Sequence, residues 1–214
     1  MTKKVILALG CFALLVIFTN AAMADNIAFH FYGGGSVAAT PAQFTSSLTT
    51  LVSAEDTDTS TLVSTTGNAS LATGAVSSAT YNPGVQLSFE FGPGGSISVM
   101  SGSTTLLTGD SVASGMGIMA LNNGKTGSIS GDFAVTYVNP IVLSWFGLTG
   151  QTIEPSGAWS LNTSKDAATS STFNAQISGG TINFATDVVP EPGTLALMGT
   201  GMLGLAGWIR RKTS

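Results

Sequence analysis

The chain has 214 residues, 27 of them glycine, and is 43% hydrophobic but only 8% charged. That balance excludes the charged, hydrophobe-poor composition of a disordered chain and is enough for one domain with a sizeable core. Five of the seven basic residues lie at the two ends, so residues 25–189 set ten acids against Lys125 and Lys165. The resulting charge of −8 excludes nucleic acid as a partner, because a polyanion would meet no basic patch.

Residues 1–24 read as a signal peptide. Lys3 and Lys4 precede an apolar run from Val5 to Phe18, and Ala22-Met23-Ala24 supplies the A-x-A pattern that signal peptidase accepts. Cleavage is expected after Ala24. As a helix the run covers about 21 Å, short of the ~30 Å hydrocarbon core that a permanent anchor spans. Cys11, the single cysteine, leaves with this segment. The mature chain then has no disulfide framework, thiol nucleophile or thiolate metal site.

Residues 25–188 read as an exported, mainly β domain. His30 alternates with Phe29 and Phe31 on a first strand, where it is expected to face outward. Thr40, Pro41 and Gln43 match a capping box with proline at the first helical position. Phe44, Leu48, Leu51 and Val52 follow at helical spacing, and together these predict one helix. Residues 54–80 are polar and turn-rich, and read as weak edge strands or a loop.

Val85, Leu87, Phe89 and Phe91 alternate with polar residues, as in a half-buried strand. Gly92-Pro93-Gly94-Gly95 then separates them from Ile97 and Val99, which predicts a hairpin. Further strands are expected at Thr104–Thr108, Val112–Ala120, Ile129–Val138, Ile141–Leu148, Ala158–Leu161, Thr172–Ser178 and Thr181–Thr186. Asn122-Asn123-Gly124-Lys125 and Ser178-Gly179-Gly180 read as turns between them. Short strands with frequent turns predict an antiparallel β-sandwich of jelly-roll type.

Chemistry in this body is sparse. Glu55, Asp56 and Asp58 form an acidic cluster that makes a candidate calcium site, although it lacks EF-hand spacing and is expected to be a solvated turn. His30, the only histidine, has no recognisable nucleophile motif beside it. Glu90 and Asp132 are candidate paired acids for glycan hydrolysis. Tyr81, Tyr137, Trp145 and Trp159 are candidate sugar-stacking platforms, though large aromatics in a cysteine-free domain more often build the core. No cofactor is expected, and Gly33-Gly34-Gly35-Ser36 lacks the lysine of a phosphate loop.

Residues 189–214 form a tail of different character. Pro190 and Pro192 hold Val189–Pro192 extended, with Glu191 between them. Residues 194–209 are uncharged and predict a single membrane helix of about 24 Å, a marginal span. Arg210, Arg211 and Lys212 close the tail and hold its tip on the cytoplasmic side, as Lys3 and Lys4 do at the front. Two crossings with both ends inside place the body outside. Positive charge is thus positioned by topology.

Val189-Pro190-Glu191-Pro192, the apolar span and Arg210-Arg211-Lys212 together resemble the PEP-CTERM sorting domain of Gram-negative bacteria. The resemblance covers the tail alone. It implies processing near the Pro-Glu-Pro motif by a membrane-embedded exosortase, a cysteine protease, and delivery to the envelope surface or extracellular matrix. The expected protein is a non-enzymatic surface or biofilm-matrix component, with signal peptidase, exosortase and the membrane as partners. Exopolysaccharide is the candidate ligand if the body is instead a carbohydrate-binding module or, third, a glycan hydrolase.

Overall fold

A computed structural model describes residues 24–111, 115–120, 125–168 and 172–187. The expected signal helix, the 122–124 turn residues, the membrane helix and the basic end lie outside these. The described strands are β1 (Asn26–Ala39), β2 (Phe44–Asp56), β3 (Thr61–Ala72), β4 (Val76–Asn82), β5 (Gln86–Phe91), β6 (Ser96–Ser101), β7 (Thr104–Asp110), β8 (Gly115–Ala120), β9 (Gly127–Val138), β10 (Thr152–Ala168) and β11 (Phe173–Asp187). One short helix, α1 (Pro140–Trp145), joins β9 to β10.

All pairings are antiparallel, in the order β10-β11-β1-β2-β3-β6-β7-β9, and β10 also pairs with β9. The expected sandwich is therefore replaced by an eight-stranded closed barrel. Closure removes the two free edges that a sandwich leaves on each sheet. The other edge of β9 is shared: Ala134 to Val138 pair with β7, and Gly127 to Ser130 pair with β8. From β8 the sheet continues through β5 to β4 as a three-stranded wing.

The expected hairpin around Gly92–Gly95 does not form. β5 pairs with β4 and β8, whereas β6 pairs with β3 and β7. The glycines serve close backbone approach at the bend between barrel and wing. A Cβ on Gly74 would lie 2.0 Å from the Pro93 carbonyl oxygen, and one on Gly95 (φ +85°) would lie 2.3 Å from the Ala72 carbonyl oxygen. The true hairpin tips are elsewhere. Pro83 and Gly84 (φ 68°) form the type II turn between β4 and β5, closed by a Val85 N–H bond to the Asn82 carbonyl at 3.0 Å.

Aromatic rings facing cross-strand glycines fill the interior. Phe89 pairs with Gly117, Phe91 with Gly115, Phe133 with Gly157 and Trp159 with Gly131. In each pair the ring occupies the space a glycine Cβ would take, at 2.2 to 2.9 Å. Phe44, Phe91 and Trp159 form a triangle of rings with centroid distances of 5.6, 6.0 and 5.7 Å, and Phe89 meets Phe173 at 6.0 Å. The wing's inner residues Leu87, Phe89 and Phe91 thereby join the barrel core.

Three local expectations change. Thr40 and Gln43 bond to each other through a backbone bond of 2.9 Å, so the capping-box residues close the β1–β2 connection and Phe44–Asp56 continues as a strand, with no helix. The apolar run at Ile141 is helical, because Asn139 caps it through a 3.0 Å bond from the Ile141 N–H and Pro140 supplies the first helical φ. Gly179 and Gly180 lie inside the single strand β11, opposite Tyr32 and Phe31, and make no turn.

Candidate functional site

The acidic cluster assembles from different residues than the sequence spacing suggests. Consecutive strand residues point to opposite faces, so Glu55 and Asp56 separate. Glu55 turns to His30, whose Nε2 lies 2.9 Å from Glu55 Oε2 on the half-buried outer face. Asp25, Asp56 and Asp58 converge instead, with carboxylate oxygens all within 4.8 Å of one another.

This cluster works locally as a turn device. Buried Asp56 accepts bonds from the Asp58 N–H (3.0 Å), the Thr59 N–H (3.3 Å) and the Thr59 hydroxyl (2.6 Å), while Asp58 accepts from the Asn26 N–H at 2.8 Å. Burial and the neighbouring Asp56 charge push the Asp25 carboxyl above its ordinary range, opposed by its bond from Gln151 and reinforced by Asp58. Asp166 is a second perturbed acid. It is 1% exposed, its Oδ2 accepts from the Thr163 hydroxyl at 3.2 Å, and Oδ1 has no partner. Burial raises its pKa, with the Thr163 bond opposing.

The aromatic candidates divide. Trp159 is 2% exposed and lies within the ring stack, so it is core. Trp145 and Tyr81 pack against the core, and Tyr137 is exposed on β9.

The outer faces of β5, β8, β9, β10 and β11 form an open concavity of about 500 Å³. Antiparallel register explains its lining. Glu90, Met116, Ser130, Ser160 and Thr181 make one cross-strand row, and Asp132, Ala158 and Asn183 make a second row two residues along. The candidate acids Glu90 and Asp132 thus share one surface, which sequence alone could not establish. Two strand spacings and two residues of rise put their Cα atoms about 12 Å apart on a flat sheet. Glu90 also accepts a bond from the Ser78 hydroxyl at 3.2 Å. Short side chains in the middle of both rows make the face concave. No sequence signal marked Ser130, Ser160, Thr181 or Asn183, since their grouping arises from barrel closure.

The sequence-predicted sorting residues Val189, Pro190, Glu191 and Pro192, the basic Arg210, Arg211 and Lys212, and Ala22 lie outside the described residues; Ala24 is exposed just before β1. A family model described as PEP-CTERM protein-sorting motif matches residues 188–212. No curated protein and no solved structure matches the chain.

Proposed function

We propose, from the premise that this chain carries a PEP-CTERM motif and is thereby sorted by an exosortase towards the cell surface, that its β-barrel is a structural component of the extracellular matrix. The carrying observation is the motif match at residues 188–212. In this reading signal peptidase cuts after Ala24, the span at 194–209 holds the exported intermediate in the inner membrane, and the protease removes the tail near Glu191. A hydroxyl-rich, base-poor body suits a protein that must remain soluble among secreted polysaccharide.

The body acts without catalysis. His30 is engaged by Glu55 on the barrel wall.

Replacing Pro190, Glu191 and Pro192 together by alanine tests the route. The variant is expected to accumulate in the inner-membrane fraction with its tail intact, while the natural chain reaches the surface and becomes accessible to added protease. Equal surface exposure of both would overturn the reading.

A further inference from the structure

We propose that the concavity across β5, β8, β9, β10 and β11 is a binding groove for a neutral, polyhydroxylated glycan strand. Its shape comes first. Crossing five strands at 4.7–4.9 Å each makes the groove about 19 Å long, and it is open to solvent along its length. Such a trough suits the interior of an extended polymer better than a single small molecule.

The lining selects the polymer. Glu90 and Asp132 offer carboxylate acceptors, and Ser130, Ser160 and Thr181 offer hydroxyls that both donate and accept. Ser160 and Thr181 already bond each other across β10 and β11 at 3.1 Å, which fixes two neighbouring hydroxyls on one wall. Asn183 Oδ1 is buried without a partner, an unused acceptor of the kind that a ligand or water normally satisfies. Trp159 lies at the floor, where Gly131 contributes no side chain, and its Nε1 is also unpartnered. Both atoms lie buried beneath the groove surface, so the hydroxyls and carboxylates above them are what a ligand meets.

Other ligand classes fit poorly. Neither Lys125 nor Lys165 lines the groove, so two carboxylates would repel an anionic polymer. All five strands are paired on both sides, so an extended peptide finds no free backbone edge to add to. Met116 is the one exposed large apolar side chain in the lining, since Trp159 is buried beneath it, and that is too little for a lipid or an apolar helix. What remains is recognition of ligand hydroxyls by side-chain oxygens.

The inference rests on the proposed surface role for its access to secreted glycan, but the two fail separately: binding is read on purified protein, sorting on fractionated cells. The full-length chain in nonionic detergent is run in native gels containing soluble galactomannan, mixed-linkage β-glucan or dextran, with alginate as the anionic comparison. Retardation is expected in at least one neutral polysaccharide and not in alginate. Ala158→Trp, at an exposed position in the groove, should weaken the retardation about tenfold or more, a loss of about 1.4 kcal/mol or more. Asp132→Asn should weaken it without filling the groove, and Leu62→Ala, exposed on β3, should leave it unchanged. Absence of retardation in every neutral gel, equal retardation of the Ala158→Trp chain, or retardation confined to alginate would each overturn the proposal.

Discussion

Gly117→Ala probes the packing rule that builds this barrel. A Cβ at position 117 would lie 2.3, 2.6 and 2.9 Å from three ring carbons of Phe89, and ordinary contact begins at 3.4 Å, so the ring must retreat by about 1.1 Å. It has little room to do so. Phe44, Phe91 and Phe173 surround it at centroid distances of 6.2, 6.2 and 6.0 Å. Overpacking of this kind costs about 1–3 kcal/mol. A domain of this size loses roughly 2–4 °C per kcal/mol, which gives a fall in Tm of roughly 2–12 °C. The assay is thermal unfolding of the full-length chain in mild detergent, followed by near-UV circular dichroism. Adding Phe89→Leu should make the glycine change nearly neutral, since the clash is with the ring alone; the coupling is read from a double-mutant cycle. A Gly117→Ala chain with unchanged Tm, or additive effects in the double variant, would refute the ring-over-glycine account.

Gly95→Ala should cost more than Gly84→Ala: both have positive φ, but a Cβ at 95 meets the Ala72 backbone at 2.3 Å and one at 84 meets nothing within 4 Å. Urea midpoints should place Gly84→Ala at about 1–2 kcal/mol, the left-handed backbone cost alone, and Gly95→Ala beyond it. Trp159→Phe should stay within about 1 kcal/mol of the natural chain, because it removes an unpartnered donor while keeping a ring in the stack, whereas Trp159→Ala should cost about 3–5 kcal/mol. The folded pKa of Asp166 is raised above its ordinary 3.8, so its contribution to stability is fully present below that value and is lost as pH rises through the folded pKa. Asp166→Asn should therefore raise the urea midpoint at pH 7, and the gain should vanish below about pH 3.8.

Strand content was legible wherever one face is buried and the other wet. The alternation of Leu87, Phe89 and Phe91 against Ser88 and Glu90 marked β5, and all three apolar residues are buried; Val85, read into the same run, lies exposed in the preceding turn. Local signals misled where tertiary pairing reused them. The Thr40–Gln43 box satisfies backbone groups equally well at a helix start or in a strand connection, and pairing of β1 with β2 chose the second. Gly179 and Gly180 carry a turn signal in the sequence, yet both sit inside β11, where a Cβ on Gly180 would lie 2.7 Å from the Leu161 side chain. Asp25 was missed as a neighbour of Asp56, since only the register that sets Ile27 beside Asp56 brings them together across 31 residues. The C-terminal signal was readable because a proline-bounded acid, an apolar span and a basic end are contiguous in the chain. The concavity was not, as its lining comes from five strands joined by closure.

The intact mass of the protein released from cells tests the central claim most directly. Processing at both ends predicts a chain that begins at Asp25 and ends near Pro190-Glu191-Pro192, without Arg210, Arg211 and Lys212. A released chain that still carries Lys212 would contradict it.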